Sequence, residues 1–158
     1  MKKYIKLLFS LLAMLGITSC SLDTDNTPGD LEGMWKCTAM EQNGQIVDVA
    51  EKQIFWSFQA KLLQIEDKIG TQPRILYHYN LNGSILELNN PYLYDRDHGD
   101  KPLTEPTLLV FYGINTMNTT FTIEFAKGKK ELTLATETYK LYFKKLSYPE
   151  ISIHIFGA

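Results

Sequence analysis

The chain has 158 residues, 44% of them apolar and 12% aromatic, with 16 lysine and arginine residues against 18 acidic ones. That aromatic content excludes a disordered chain. A net charge of −2, with Arg74 and Arg96 as the two arginines, excludes a nucleic-acid binder, which needs a basic face to neutralise phosphates.

The first 19 residues read as an export signal. Lys2, Lys3 and Lys6 form a basic start, and the 11 residues from Leu7 to Ile17 form an apolar stretch. A membrane span takes about 20 such residues, so this is a leader and not an anchor helix. It closes on Ile17-Thr18-Ser19-Cys20: an aliphatic residue, two small ones, a cysteine. This resembles the lipobox of bacterial lipoproteins. The resemblance implies cleavage before Cys20, diacylglycerol on its thiol and an acylated amino terminus, hence a membrane partner through the lipid. Ser21 after the cysteine implies, by the same analogy, the outer membrane. Loss of the leader removes three basic residues and leaves 13 against 18 acidic, a mature charge of −5. Residues 20–30, polar and turn-rich, are expected to be the lipid anchor and a flexible tether.

From 31 to 146, short alternating runs separated by turn signals predict an all-β, antiparallel domain. Trp35, Cys37 and Ala39 alternate with polar neighbours before an Asn43-Gly44 hairpin turn. The alternation makes Cys37 a small core hydrophobe, left without a disulfide partner if Cys20 carries lipid. Residues 47–65 fit both a helix (Val47, Ala50, Ile54, Phe58, Leu62) and a strand (Ile54 to Leu62). The run Phe55-Trp56-Ser57-Phe58 favours the strand, with a helical turn before it. Further strands are expected through Ile75-Tyr79, Ile85-Leu88, Phe121-Phe125, Leu132-Leu134 and Tyr139-Phe143, with Asn82-Gly83 and Lys127-Gly128 as turns. Residues 89–103 read as a polar connection. Thr104 is expected to cap one short helix over Glu105–Tyr112, ended by Gly113. The apolar tail, 147–158, is either an extra strand or an edge that needs covering.

Several blocks in order carry a resemblance: Gly33-Met34-Trp35, Trp56-Ser57-Phe58-Gln59, Asp95-Arg96-Asp97, Tyr112-Gly113-Ile114-Asn115 and Leu141-Tyr142-Phe143-Lys144-Lys145. Gly33-x-Trp35 resembles the G-x-W signature of lipocalins, and the series is similar to lipocalin-like bacterial outer-membrane lipoproteins of unassigned function. The resemblance implies a barrel of about eight strands, closed at one end by Gly33 and Trp35 and wide enough for side chains or one small ligand. Lipocalins cover that tryptophan with an arginine near the final strand; here Lys140, Lys144 and Lys145 are the basic residues there.

Trp35, Trp56, Phe58, Tyr77, Tyr79, Phe121 and Phe143 share one predicted face, and they either fill the barrel or line a cup. Trp56, Phe58, Tyr77 and Tyr79 are the candidate ligand-lining residues, because tyrosine hydroxyls need partners in a dry interior. The loop Asp95–Asp100 departs from the EF-hand spacing and reads as a solvated turn held by aspartates and an Asp–Arg pair. His78, His98 and His154 lack zinc-ligand spacing, and no nucleophile elbow or phosphate loop appears. No metal, cofactor or catalytic residue is therefore expected. The function expected is a binding or accessory module that holds a small apolar ligand or docks on an outer-membrane protein.

Overall fold

The computed structural model describes residues 29–147. Cys20, the leader, most of the tether and all of the tail beyond Ser147 lie outside the described residues. Ten strands follow a 3-10 turn at Gly29–Leu31: β1 (Gly33–Gln42), β2 (Gln45–Asp48), β3 (Ile54–Gln59), β4 (Leu62–Asp67), β5 (Ile75–Asn82), β6 (Ile85–Leu93), β7 (Lys101–Pro102), β8 (Thr119–Ala126), β9 (Glu131–Ala135) and β10 (Tyr139–Lys145). One short helix, α1 (Thr107–Val110), lies between β7 and β8.

Eight of these strands close into an antiparallel barrel in the order β1-β3-β4-β5-β6-β8-β9-β10, and β10 returns to β1. The closing register runs from Trp35 opposite Lys145 to Gln42 opposite Tyr139, with a bulge between Cys37 and Ala39. Closure leaves the ring without an open edge, which is how small barrels avoid templating other chains. Alternation along each strand sends Trp35, Trp56, Phe58, Ile65, Tyr77, Leu88, Phe121, Leu134 and Phe143 inward to form one continuous core.

The ambiguous segment resolves as strand. β2 and β3 both pair with β1, but the seven residues from Asp48 to Phe55 span only three on β1, from Ala39 to Lys36. Four extra residues are therefore looped out, and the 3-10 turn Ala50–Lys52 accommodates them. The strand does not run on to Leu62, however. A turn at Ala60-Lys61 splits it into the β3–β4 hairpin, with Ala60 at φ +51°. No glycine, proline or asparagine marks that turn in the sequence.

Two other expectations are corrected. The 89–103 stretch is not merely a connection: β6 continues through Pro91 to Leu93, and Tyr92 and Leu93 pair with the short β7. The helix is shorter than its sequence pattern, and Thr104 does not cap it. Pro106 occupies the N-cap position with helical dihedrals and no side-chain cap. Packing sets the course here: Leu103, Leu109, Tyr112 and Ile114 are all buried and seal the barrel mouth.

Gly113 does end the helix as expected, through a Schellman motif. The Ile114 amide donates to the Leu109 carbonyl at 3.1 Å and the Gly113 amide to the Val110 carbonyl at 3.0 Å. Gly113 has φ +79°, and a Cβ there would stand 2.6 Å from Leu141 Cδ2 and 3.0 Å from Met40 Sδ. Gly113→Ala is therefore expected to destabilise the fold by about 2–4 kcal/mol, from left-handed strain and overpacking together. Urea denaturation checks this.

Candidate functional site

The closed end is built from both chain termini of the barrel. Trp35 is fully buried, and its Nε1 donates to the Leu31 carbonyl at 2.7 Å, so the 3-10 turn is tied over it. The Lys145 ammonium lies 5.0 Å from the Trp35 ring centroid and also donates to the Asp30 carbonyl at 3.2 Å. A lysine on β10 thus takes the place over the tryptophan that lipocalins give to arginine, a cation–π contact of about 0.5–2 kcal/mol. Gly33 has φ +112°, and a Cβ there would come 3.3 Å from Lys145 Cε, so glycine leaves room for the lysine stem. Asp30 pairs with Lys129 at 2.7 Å, which places the last residues of the expected tether within the folded domain.

The four candidate ligand-lining residues are brought together, but as packed core. Trp56 and Tyr77 are fully buried, Phe58 is 2% exposed and Tyr79 is 5% exposed. Trp56 lies 6.4 Å from Phe58, 5.2 Å from Phe143 and 6.0 Å from Phe121, while Phe58 meets Tyr79 edge-on at 5.4 Å. Tyr79 donates its hydroxyl to the Ala60 carbonyl at 2.5 Å, and burial, aided by the Glu32 charge, pushes that phenol up to about 12. Burial also raises the Tyr77 phenol. The Tyr77 hydroxyl and Trp56 Nε1 have no hydrogen-bond partner.

Over the mouth, Tyr112 donates to the Pro73 carbonyl at 2.7 Å and ties the α1 segment to the β4–β5 loop. Three clefts open to the outside. One of about 620 Å³ lies beside the β1–β2 hairpin, between Met40, Val47, Val49 and Lys52. Another of about 630 Å³ lies between the segment leading into β8 and the β9–β10 turn. A smaller one of about 200 Å³ lies on the outer wall by Leu76, His78 and Tyr92. Sequence reasoning missed all three, since each is assembled from separated segments with no shared motif.

The remaining candidates are also placed. Cys37 is fully buried, and burial pushes its thiol up to about 12, the opposite of an activated nucleophile. His78 and His98 are exposed. In the acidic loop, Asp95 accepts from the His98 amide at 3.0 Å, the Asp97 amide at 3.1 Å and Lys101 at 3.2 Å. Those bonds hold its carboxyl below the usual carboxylate range, with the His98 amide the largest contributor. The turn is the expected one; its cationic partner is Lys101 and not Arg96.

Comparison with protein families finds a match, over residues 13–146, to a family described as a lipocalin-like domain. This protein belongs to that lipocalin-like family. A lipocalin-like protein from Bacteroides uniformis has a similar fold, with TM-score 0.56 and 21% identity over 75% of this chain and 100% of that one. So does an uncharacterized protein from Bacteroides eggerthii, with TM-score 0.53 and 19% identity over 73% and 99% of the two chains. A protein from Burkholderia xenovorans is similar at TM-score 0.50 and 12% identity, over 73% and 83%. No protein with a curated description matches the chain.

The closed end makes a quantitative test of the lipocalin-like architecture. Trp35→Ala removes the indole, its hydrogen bond to Leu31 and the seat of Lys145 at once. It is expected to cost about 3–5 kcal/mol in a chemical-denaturation experiment. A loss under about 1 kcal/mol would show that the ring does not hold that end.

Proposed function

We propose that this protein is a lipid-anchored, non-enzymatic interaction module of the outer membrane, a filled barrel that meets a protein partner with its outer surface. A lipocalin-like barrel is compatible with small-ligand binding, so the state of its interior is the discriminating feature. The observation that carries the reading is the packing of Trp56, Phe58, Tyr77 and Tyr79 into one another, none more than 5% exposed. With the mouth sealed by Leu109 and Tyr112, contact with another molecule falls to the exterior. Apolar side chains exposed at the mouth support this: Ile46 at 65%, Val47 at 58%, Ile69 at 59% and Val110 at 57%. They sit at the end opposite Gly29, remote from the tether that Cys20 would anchor. The raised Cys37 thiol supports a non-enzymatic role.

A second reading, a carrier of a small apolar ligand, is favoured by one observation. Trp56 Nε1 and the Tyr77 hydroxyl are buried donors without partners, and a ligand oxygen between them would satisfy both. Titration with a fluorescent fatty acid separates the two readings. The filled barrel is expected to show no saturable quenching of Trp56, whereas stoichiometric quenching abolished in Trp56→Phe establishes the carrier.

The anchor is tested separately. Cys20→Ala is expected to move the protein from the membrane pellet to the soluble fraction. Retention in the pellet, with no acyl mass on the mature amino terminus, removes the lipoprotein assignment.

A further inference from the structure

We propose that the cleft of about 630 Å³ between residues 115–122 and the β9–β10 turn is a binding site for a neutral carbohydrate. This deepens the outward-acting reading above, since it names a class of molecule that the exterior would hold. Its volume lies within the usual range for small-ligand sites, about 300–1,000 Å³. What distinguishes it is the chemistry of the wall. Of its 11 lining residues, six are threonines and two are asparagines, with Glu137 the one charged residue.

Three of those threonines build the site. The Thr116 hydroxyl donates to the Asn118 carbonyl at 2.8 Å, and Thr119 donates to the Thr116 carbonyl at 3.1 Å. Thr136 accepts from the Thr138 and Tyr139 amides at 3.2 and 3.1 Å, which fixes the β9–β10 turn. The rest remain available. Among the described residues, the side chains of Asn115, Thr120, Thr122, Glu137 and Thr138 make no hydrogen bond or ion pair. At one wall is Tyr139, 9% exposed, whose hydroxyl stands beside Thr119 without a hydrogen bond.

Elimination by chemistry leaves one ligand class. The wall has no lysine or arginine, so phosphate, sulfate or carboxylate groups would find no counter-charge. A lone carboxylate is too few for a hard cation. An extended peptide has no strand edge to join, because β8 is already paired on both sides, to β6 and β9. An apolar ligand would want an apolar, aromatic lining. A sugar presents alternating C–H and O–H groups. Threonine matches it with a methyl and a hydroxyl that both donates and accepts.

The test uses the full-length chain in micelles of a sugar-free detergent, titrated calorimetrically with maltotetraose, chitotetraose, a sulfated disaccharide and laurate. At least one neutral tetrasaccharide is expected to bind saturably in the millimolar range. The double variant Thr120→Val/Thr122→Val keeps shape at two exposed positions. It is expected to weaken that binding about fivefold or more, the effect of one or two net hydrogen bonds. Tyr77→Phe, inside the barrel, is expected to leave it unchanged. The proposal is overturned if neither neutral sugar binds at tens of millimolar, if the double variant binds as the parent does, or if the sulfated sugar binds more tightly. Laurate binding quenched through Trp56 would overturn the filled-barrel reading and leave the cleft to be judged on the sugars alone.

Discussion

The bore of an eight-stranded ring is fixed by strand number and tilt, and it is just wide enough for side chains or one small molecule. In this protein that space goes to aromatic rings. Trp56 is the hub: its ring lies within 6.4 Å of those of Phe58, Phe121 and Phe143, contributed by three other points around the barrel. Offset and edge-on arrangements of this kind add about 0.5–1.5 kcal/mol per pair beyond area burial. Mouth and base then follow from the filling. A packed interior needs an apolar cover at each end, and Tyr112 with Leu109 supplies one while Trp35 under Leu31 supplies the other.

Filling a barrel with tyrosines raises the question of their hydroxyls, and the backbone answers most of it. Tyr79 and Tyr112 each reach a carbonyl, of Ala60 and Pro73, at places where the chain turns between strands. Turns are where carbonyls lack ladder partners, so a long phenol crossing the core can finish there. Tyr142 points outward and donates to Glu41 across the β1–β10 seam. Tyr77 alone among these four ends in the middle of the barrel, and the carrier reading rests on it.

Much of this was legible in the sequence, because the period-two alternation is a direct image of an inside and an outside. The fold class, Cys37 as core and Gly113 as a helix end all follow from local pattern. The family resemblance pointed to Trp35 as an end plug, and the structure puts it there. What escaped was non-local or unmarked. Ala60 turns the β3–β4 hairpin without any of the usual turn residues, since Tyr79 and the paired strands hold it there. No pattern chooses Lys145 from three nearby lysines; only the register Trp35–Lys145 does. The α1 segment was read from helix propensity, whereas its real determinant is four apolar residues seeking the mouth. The threonine cleft comes from two segments brought side by side by the β8–β9 hairpin and carries no periodic signal.

The β1–β10 seam also governs how the molecule comes into being. Trp35 and Lys145 are partners across 110 positions of chain, so the ring cannot shut until nearly the whole domain is present. Pairings of such long range carry a loop-closure cost before any contact offsets it, and barrels of this kind fold on the millisecond-to-second scale. Until β10 arrives, β1 and β9 each offer a bare edge. A chain emerging amino terminus first therefore exposes its stickiest strand earliest and covers it last. The interval between the two is when an escorting chaperone would have the most to protect.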